Sequence, residues 1–144
     1  MMLLTLNLRA ALRANAVAHF TAQEEGRREP DPLPILKLFN PMGAATWLAT
    51  ELDEDGDTLF GLADLGFGTP ELGYFSLSEI ESVRLQGGLG IERDLYFTAR
   101  FPLSAYAEAA RIAGRITEAE ALLATAARAR ELARRSEIPP ASDG

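Results

Sequence analysis

Two apolar runs, residues 46–52 and 58–65, flank the acidic stretch Asp53-Glu54-Asp55-Gly56-Asp57. Asp-Gly between such runs is a strong β-hairpin signal, because both residues tolerate the positive φ of a tight turn that matches strand twist. The pattern predicts two antiparallel strands, and alternation along them sorts the side chains into faces. With Asp55-Gly56 as a two-residue turn, Glu54 lies opposite Asp57, Leu52 opposite Leu59 and Trp47 opposite Asp64. One face then carries Leu48, Thr50, Leu52, Leu59, Gly61, Ala63 and Leu65, the expected core. The other carries Trp47, Ala49, Glu51, Phe60, Leu62 and Asp64, large apolar groups mixed with two carboxylates. A one-residue slip would reverse the sides of one strand relative to the other.

Periodicity and punctuation supply the remaining elements. Leu8, Leu12, Ala16 and Phe20 recur every four residues and predict a helix over 4–20 with Thr5 as N-cap. Residues 23–34, with Pro30, Pro32 and Pro34, read as a linker. Ile35-Leu36-Lys37-Leu38-Phe39 reads as a short strand, 72–77 as a third strand of the meander and 91–98 as another. Ser78 and Glu81 have capping-box spacing and open a helix ending at Gly87-Gly88. Ser104 is placed to cap a helix ending at Gly114, and Thr117 with Glu120 opens a last helix to about residue 135. The fold expected is α+β: an antiparallel β-meander sheet packed against N-terminal and C-terminal helices. Residues 1–115 form one domain, 116–135 a C-terminal helix packing on it, and 136–144 a flexible tail.

The bulk numbers narrow the function classes. A chain of 144 residues, 47% hydrophobic, is long enough to bury one core. It has no cysteine, which removes disulfides, thiolate catalysis and sulfur-ligated zinc. No apolar run reaches the roughly 20 residues of a membrane helix, and the opening residues lack a signal-peptide pattern, so a cytoplasmic protein away from membranes is expected. The net charge of −7 opposes phosphate-backbone binding, so a protein partner is expected ahead of direct nucleic-acid binding.

Candidate chemistry is sparse. Asp53-x-Asp55-x-Asp57, with Asp64 at the twelfth position, superficially matches a calcium loop, but Thr58 stands where that loop needs glycine. A carboxylate metal site would need Glu51, Asp64, Glu71, Glu92 or Asp94 to converge, with Lys37 nearby. His19, the only histidine, excludes a histidine-pair zinc site within one chain and reads as structural. The serines sit in no nucleophile elbow, and Gly66-x-Gly68 lacks the helix a phosphate loop requires. No cofactor or metal is therefore expected. Arg93, between Glu92 and Asp94, reads as an ion-pair partner of a neighbouring strand. Trp47, Phe60, Phe67, Tyr74 and Tyr96 are aromatic enough for base stacking, although a core role accounts for most of them. The candidate binding surface is Trp47, Glu51, Phe60, Asp64, Glu71, Tyr74 and Asp94.

The central block Lys37-Leu38-Phe39-Asn40-Pro41, Gly43-Ala44-Ala45-Thr46-Trp47, Thr50-Glu51-Leu52-Asp53, Asp57-Thr58-Leu59-Phe60-Gly61-Leu62, Asp64-Leu65-Gly66 and Pro70-Glu71-Leu72-Gly73-Tyr74 resembles an uncharacterised bacterial family, domain of unknown function 2958 (DUF2958). Ser76-Leu77-Ser78-Glu79 and Glu92-Arg93-Asp94 extend the likeness over residues 4–115. The resemblance implies a small protein or module carried by plasmids, integrative elements and phages. It brings no catalytic residues with it. The leading expectation is a non-catalytic interaction protein of such an element, acting in DNA maintenance, transfer or counter-defence. The alternatives are a metal-dependent enzyme acting on nucleic acid or nucleotides through its carboxylates, and an acidic DNA mimic that inhibits a host nuclease.

Overall fold

The hairpin forms around a larger turn than expected and contains one irregularity. A computed structural model describes residues 2–137, so the expected tail beyond 137 lies outside the described residues. Strand β2 spans Thr46–Leu52 and β3 spans Thr58–Asp64. The loop closes where the Asp53 amide donates to the Thr58 carbonyl at 2.8 Å, and the Gly56 amide donates to the Asp53 carbonyl at 3.0 Å. Gly56 sits at φ 72°, a conformation that favours glycine. The Asp55 carboxylate accepts from the Asp57 and Thr58 amides and the Thr58 hydroxyl, which is why an aspartate stands at the tip. Four residues are looped out instead of two. The loop grows symmetrically, so Leu52 still pairs with Leu59 and Glu51 with Phe60.

Beyond Glu51 the register shifts. Ala49 pairs with Gly61, Leu48 with Leu62, Trp47 with Ala63 and Thr46 with Asp64, leaving Thr50 as the extra residue of a β-bulge. The expected Trp47–Asp64 pairing is thereby corrected. Trp47 and Ala49 move to the face of Leu52 and Leu59, and Leu48 to the face of Phe60 and Leu62. The glycine across the bulge makes the close approach possible: a Cβ on Gly61 would lie 1.8 Å from the Leu48 carbonyl oxygen and 2.8 Å from Ala49 Cα.

The five strands are ordered β4-β3-β2-β1-β5 and every pair is antiparallel, with β1 at Leu36–Phe39, β4 at Glu71–Ser76 and β5 at Glu92–Arg93. β1 to β4 form the expected meander and β5 returns to the far side of β1. β5 is two residues long, not the strand over 91–98 that alternation predicts. The Asp94 amide still reaches the Lys37 carbonyl, but the Asp94 carboxylate then accepts from the Tyr96 amide and turns the chain away. Arg93 makes no strand ion pair; it donates to the Leu3 carbonyl at 2.7 Å and fastens the N-terminal segment to the sheet.

Helices flank the sheet on both faces, an α+β architecture. One core joins Leu3, Leu4, Leu36, Leu38, Trp47, Leu52 and Leu59 to Leu12 of helix α1 (Leu6–Glu24) and to Leu77 and Ile80 of α2 (Leu77–Ser82). The other joins Leu48 and Leu62 to Leu103, Tyr106 and Ala109 of α3 (Leu103–Ala113) and to Leu123 and Ala126 of α4 (Glu120–Glu137). The capping details differ from the spacing rules. α2 is capped by Ser76, whose hydroxyl accepts from the Glu79 amide, because Asp57 accepts from both the Ser76 hydroxyl and the Ser78 amide. That helix stops at Ser82, and a separate 3-10 turn spans Gln86–Gly88. In the first turn of α3, Ser104 does not cap. Its amide and hydroxyl both donate to Asp31 of the linker.

Helix α1 begins after its Thr5 cap, as expected, but presents a different stripe. Steps of four residues drift about 40° each around a helix of 3.6 residues per turn, so the line from Leu8 rotates off the sheet and leaves Phe20 62% exposed. The stripe that meets the sheet is Leu8, Leu12, Asn15, His19 and Ala22, with steps of three and four. β1 pairs with β2 only from Thr46 to Ala49, and α1 covers the edge left over. Asn15 donates to the Thr50 carbonyl at 2.9 Å, Arg13 to Leu52 at 2.7 Å and Arg9 to Gly56 at 3.2 Å.

Gly61→Ala should destabilise the fold by about 3 kcal/mol or more, since main chain cannot yield the space. Gly73→Ala, on β4, meets nothing within 4 Å and should change stability by less than about 0.5 kcal/mol. Urea unfolding midpoints compare the two.

Candidate functional site

The bulge decides what the candidate residues can do together. Trp47 is 9% exposed and belongs to the α1-side core. Glu71 pairs with Ala63 and so shares the face of Trp47, two strands away and exposed. Asp64 is 3% exposed; its carboxylate accepts from the Gly66 and Ile116 amides, both at 2.9 Å, and ties the end of β3 to the α3–α4 connection. Asp94 holds the turn after β5 and lies 3.6 Å from Lys37 Nζ, which also pairs with Glu118 ahead of α4. The expected common surface of Trp47, Phe60, Glu51 and Asp64 does not form, because the extra residue at Thr50 turns the tryptophan to the other side. The carboxylates Glu51, Asp64, Glu71 and Asp94 do not converge either, since each is committed to a different partner or face. Among the described residues no group of three or more histidine, aspartate and glutamate side chains has the geometry to hold a metal ion.

Three of the seven do come together. Glu51 pairs with Phe60, and Phe60 with Tyr74 on the next strand; the two rings stack tilted with centroids 5.0 Å apart. Where α1 passes this corner of the sheet, His19, Phe20 and Gln23 close over it. With Glu51, Asp53, Thr58, Phe60 and Tyr74 they line a hollow of about 180 Å³. His19 was absent from the expected surface. Its position on the Leu12-Asn15-His19 line is the signal that marks it, and the four-residue stripe hides that line.

His19 organises the hollow's floor. Nδ1–H donates to Glu51, 3.0 Å from Oε2. Nε2 lies 3.3 Å from Glu29 Oε2 of the linker, out of line for a hydrogen bond, and among the described residues it is the buried side-chain nitrogen without one. Gln23 donates to the other Glu29 oxygen at 2.9 Å. Burial works to lower the His19 pKa, but hydrogen bonds and charge attraction from Glu51 and then Glu29 outweigh it, and the imidazole stands above its ordinary 6.5. The Gln23 hydrogen bond, then His19, holds Glu29 below the usual carboxylate range. The hollow therefore joins a negatively charged rim to an aromatic wall.

The family model described as protein of unknown function (DUF2958) matches residues 3–117. The chain belongs to that family. Every residue lining the hollow lies inside the matched segment, whereas Glu118 and α4 lie beyond it. No curated protein and no solved structure matches the chain. Among the described residues no helix is long and apolar enough to cross a membrane.

Two predictions follow the partners just described. A histidine whose pKa is raised on folding contributes stability that is complete below about pH 6.5 and is lost as pH rises through the folded value. The urea midpoint should therefore fall across neutral pH, and Glu51→Gln should flatten that slope; an equal slope in the variant would contradict the His19–Glu51 pairing. Asp64→Ala leaves two amides without their acceptor and should cost about 1–3 kcal/mol. Glu71→Ala should stay within about 0.5 kcal/mol by the same denaturation assay.

Proposed function

We propose that this DUF2958 member is a non-catalytic interaction protein whose hollow receives a cationic side chain from a protein partner. The observation that carries the reading is the convergence of Glu51 and Asp53 with the Phe60–Tyr74 pair and Phe20 around one opening. A guanidinium or ammonium group gains from both elements: aromatic faces attract cations, and carboxylates accept their hydrogen bonds. Arginine suits the site better than lysine, because its planar group stacks on a ring while donating sideways. The net charge of −7 supports the reading by speeding the approach of a basic partner. The setting on a plasmid, phage or integrative element, in DNA maintenance, transfer or counter-defence, is part of the proposal and rests on the family resemblance alone.

N-acetylarginine amide titrated into labelled protein tests the site. It should produce saturable millimolar shifts at His19, Glu51, Phe60 and Tyr74 in NMR spectra, weaker in Tyr74→Ala. Equal shifts from N-acetylnorleucine amide, which lacks the charge, would sink the idea.

A further inference from the structure

The two edges of the sheet are treated differently. β5 is two residues long, and its Arg93 is tied to the Leu3 carbonyl, so that edge offers little to an incoming strand. β4 runs for six residues and has a neighbour on one side only. Its pairing with β3 is continuous from Ser76 to Glu71 without a bulge. It contains no proline and no lysine, and a Cβ on its central Gly73 would meet nothing within 4 Å. Leu72 is 49% exposed and Tyr74 74% exposed. Natural sheets blunt such edges with charge, proline, bulges or a covering element, because unpaired amides and carbonyls template pairing with another chain. β4 carries one charge, Glu71, and none of the other devices.

We infer that the outer edge of β4 takes up an extended basic segment of a partner protein as a sixth strand. Main-chain hydrogen bonds along β4 supply affinity, and alternating side chains supply specificity. On the face of Leu72 and Tyr74 the added strand meets apolar and aromatic surface, extending the ladder Glu51–Phe60–Tyr74. On the opposite face it meets Glu71, which calls for a basic residue. The matching segment therefore alternates apolar and basic residues over about six positions. Charge selects this occupant over a second copy: two chains of −7 repel as they approach, whereas a basic segment is drawn in. The inference extends the proposed role as an interaction protein but does not depend on the hollow, since neither Glu71 nor Leu72 lines it.

The probe is a disordered octapeptide of alternating lysine and valine, titrated into isotope-labelled protein and followed by amide shifts. Saturable shifts are expected along residues 71–76. They should be lost when every second peptide amide is N-methylated, absent with the glutamate–valine counterpart, and weakened roughly tenfold by Glu71→Lys or Leu72→Lys. Both substituted positions are exposed, so the variants should fold, and their unchanged unfolding midpoints confirm it. Shifts at His19 and Glu51 that bypass residues 71–76 would overturn the inference, as would equal binding of the glutamate–valine or N-methylated peptides. Sedimentation as a dimer that Leu72→Lys dissociates would overturn it too, by giving the edge to a second copy. N-acetylarginine amide binding at the hollow is read at different residues, so either result can fail without the other.

Discussion

One extra residue in β2 organises the molecule. With Thr50 bulged, the strand presents Leu52 and Trp47 to the same core although they are five positions apart, an odd spacing that a regular strand would split between two faces. The arrangement depends on Gly61, because only a residue without Cβ lets the Leu48–Ala49 backbone come so close. Its consequence reaches the surface. Glu51 stays with Phe60 and Tyr74 while the tryptophan leaves for the interior, and the corner under α1 opens as a hollow with an acidic rim. Asn15 and Arg13 of α1 then satisfy the carbonyls of Thr50 and Leu52, so the helix that closes the hollow is also the cover of the strand edge.

Much of the negative charge has a structural occupation. Asp55 binds the hairpin tip to itself, and Asp57 holds the start of α2; their hydrogen-bond donors, led by Thr58 for Asp55 and by Ser76 for Asp57, keep both below the usual carboxylate range. Asp64 joins β3 to the connection before α4, and Asp31 holds the start of α3. Each of these acids binds backbone amides that would otherwise lack partners, a reason for carboxylates at loops independent of any ligand. The acids at the hollow are of another kind: Glu51 and Glu29 share a single imidazole, and Asp53 lines the opening. An aromatic wall behind an excess of negative charge is an arrangement for a cation.

The sequence revealed the elements better than the faces. Thr46–Leu52 matched β2 residue for residue, the Asp-Gly signal placed the hairpin, and Thr5 and Gly114 bounded their helices as expected. The family was legible too, from motifs through the same segment that the family model matches. What failed was whatever depended on a count. Alternation carries no mark of a bulge when residues on both sides of it are apolar, as Leu48, Ala49 and Leu52 are. Strict four-residue spacing similarly chose Phe20 over His19, because drift around a helix accumulates beyond two turns. Ser76-x-x-Glu79 and Ser78-x-x-Glu81 overlap with identical spacing, and the choice between them was made by Asp57, some 20 residues away. Long-range hydrogen bonds of this sort decide local structure without leaving a local signature.

Trp47 is the only tryptophan in the chain, which makes its environment directly readable by fluorescence. A bulge at Thr50 puts the indole in the α1-side core, so native emission should be blue-shifted, resistant to acrylamide quenching and red-shifted only on unfolding. Emission like that of an indole in water, readily quenched in the native protein, would return Trp47 to the surface beside Phe60 and contradict the division of the sheet on which the hollow depends.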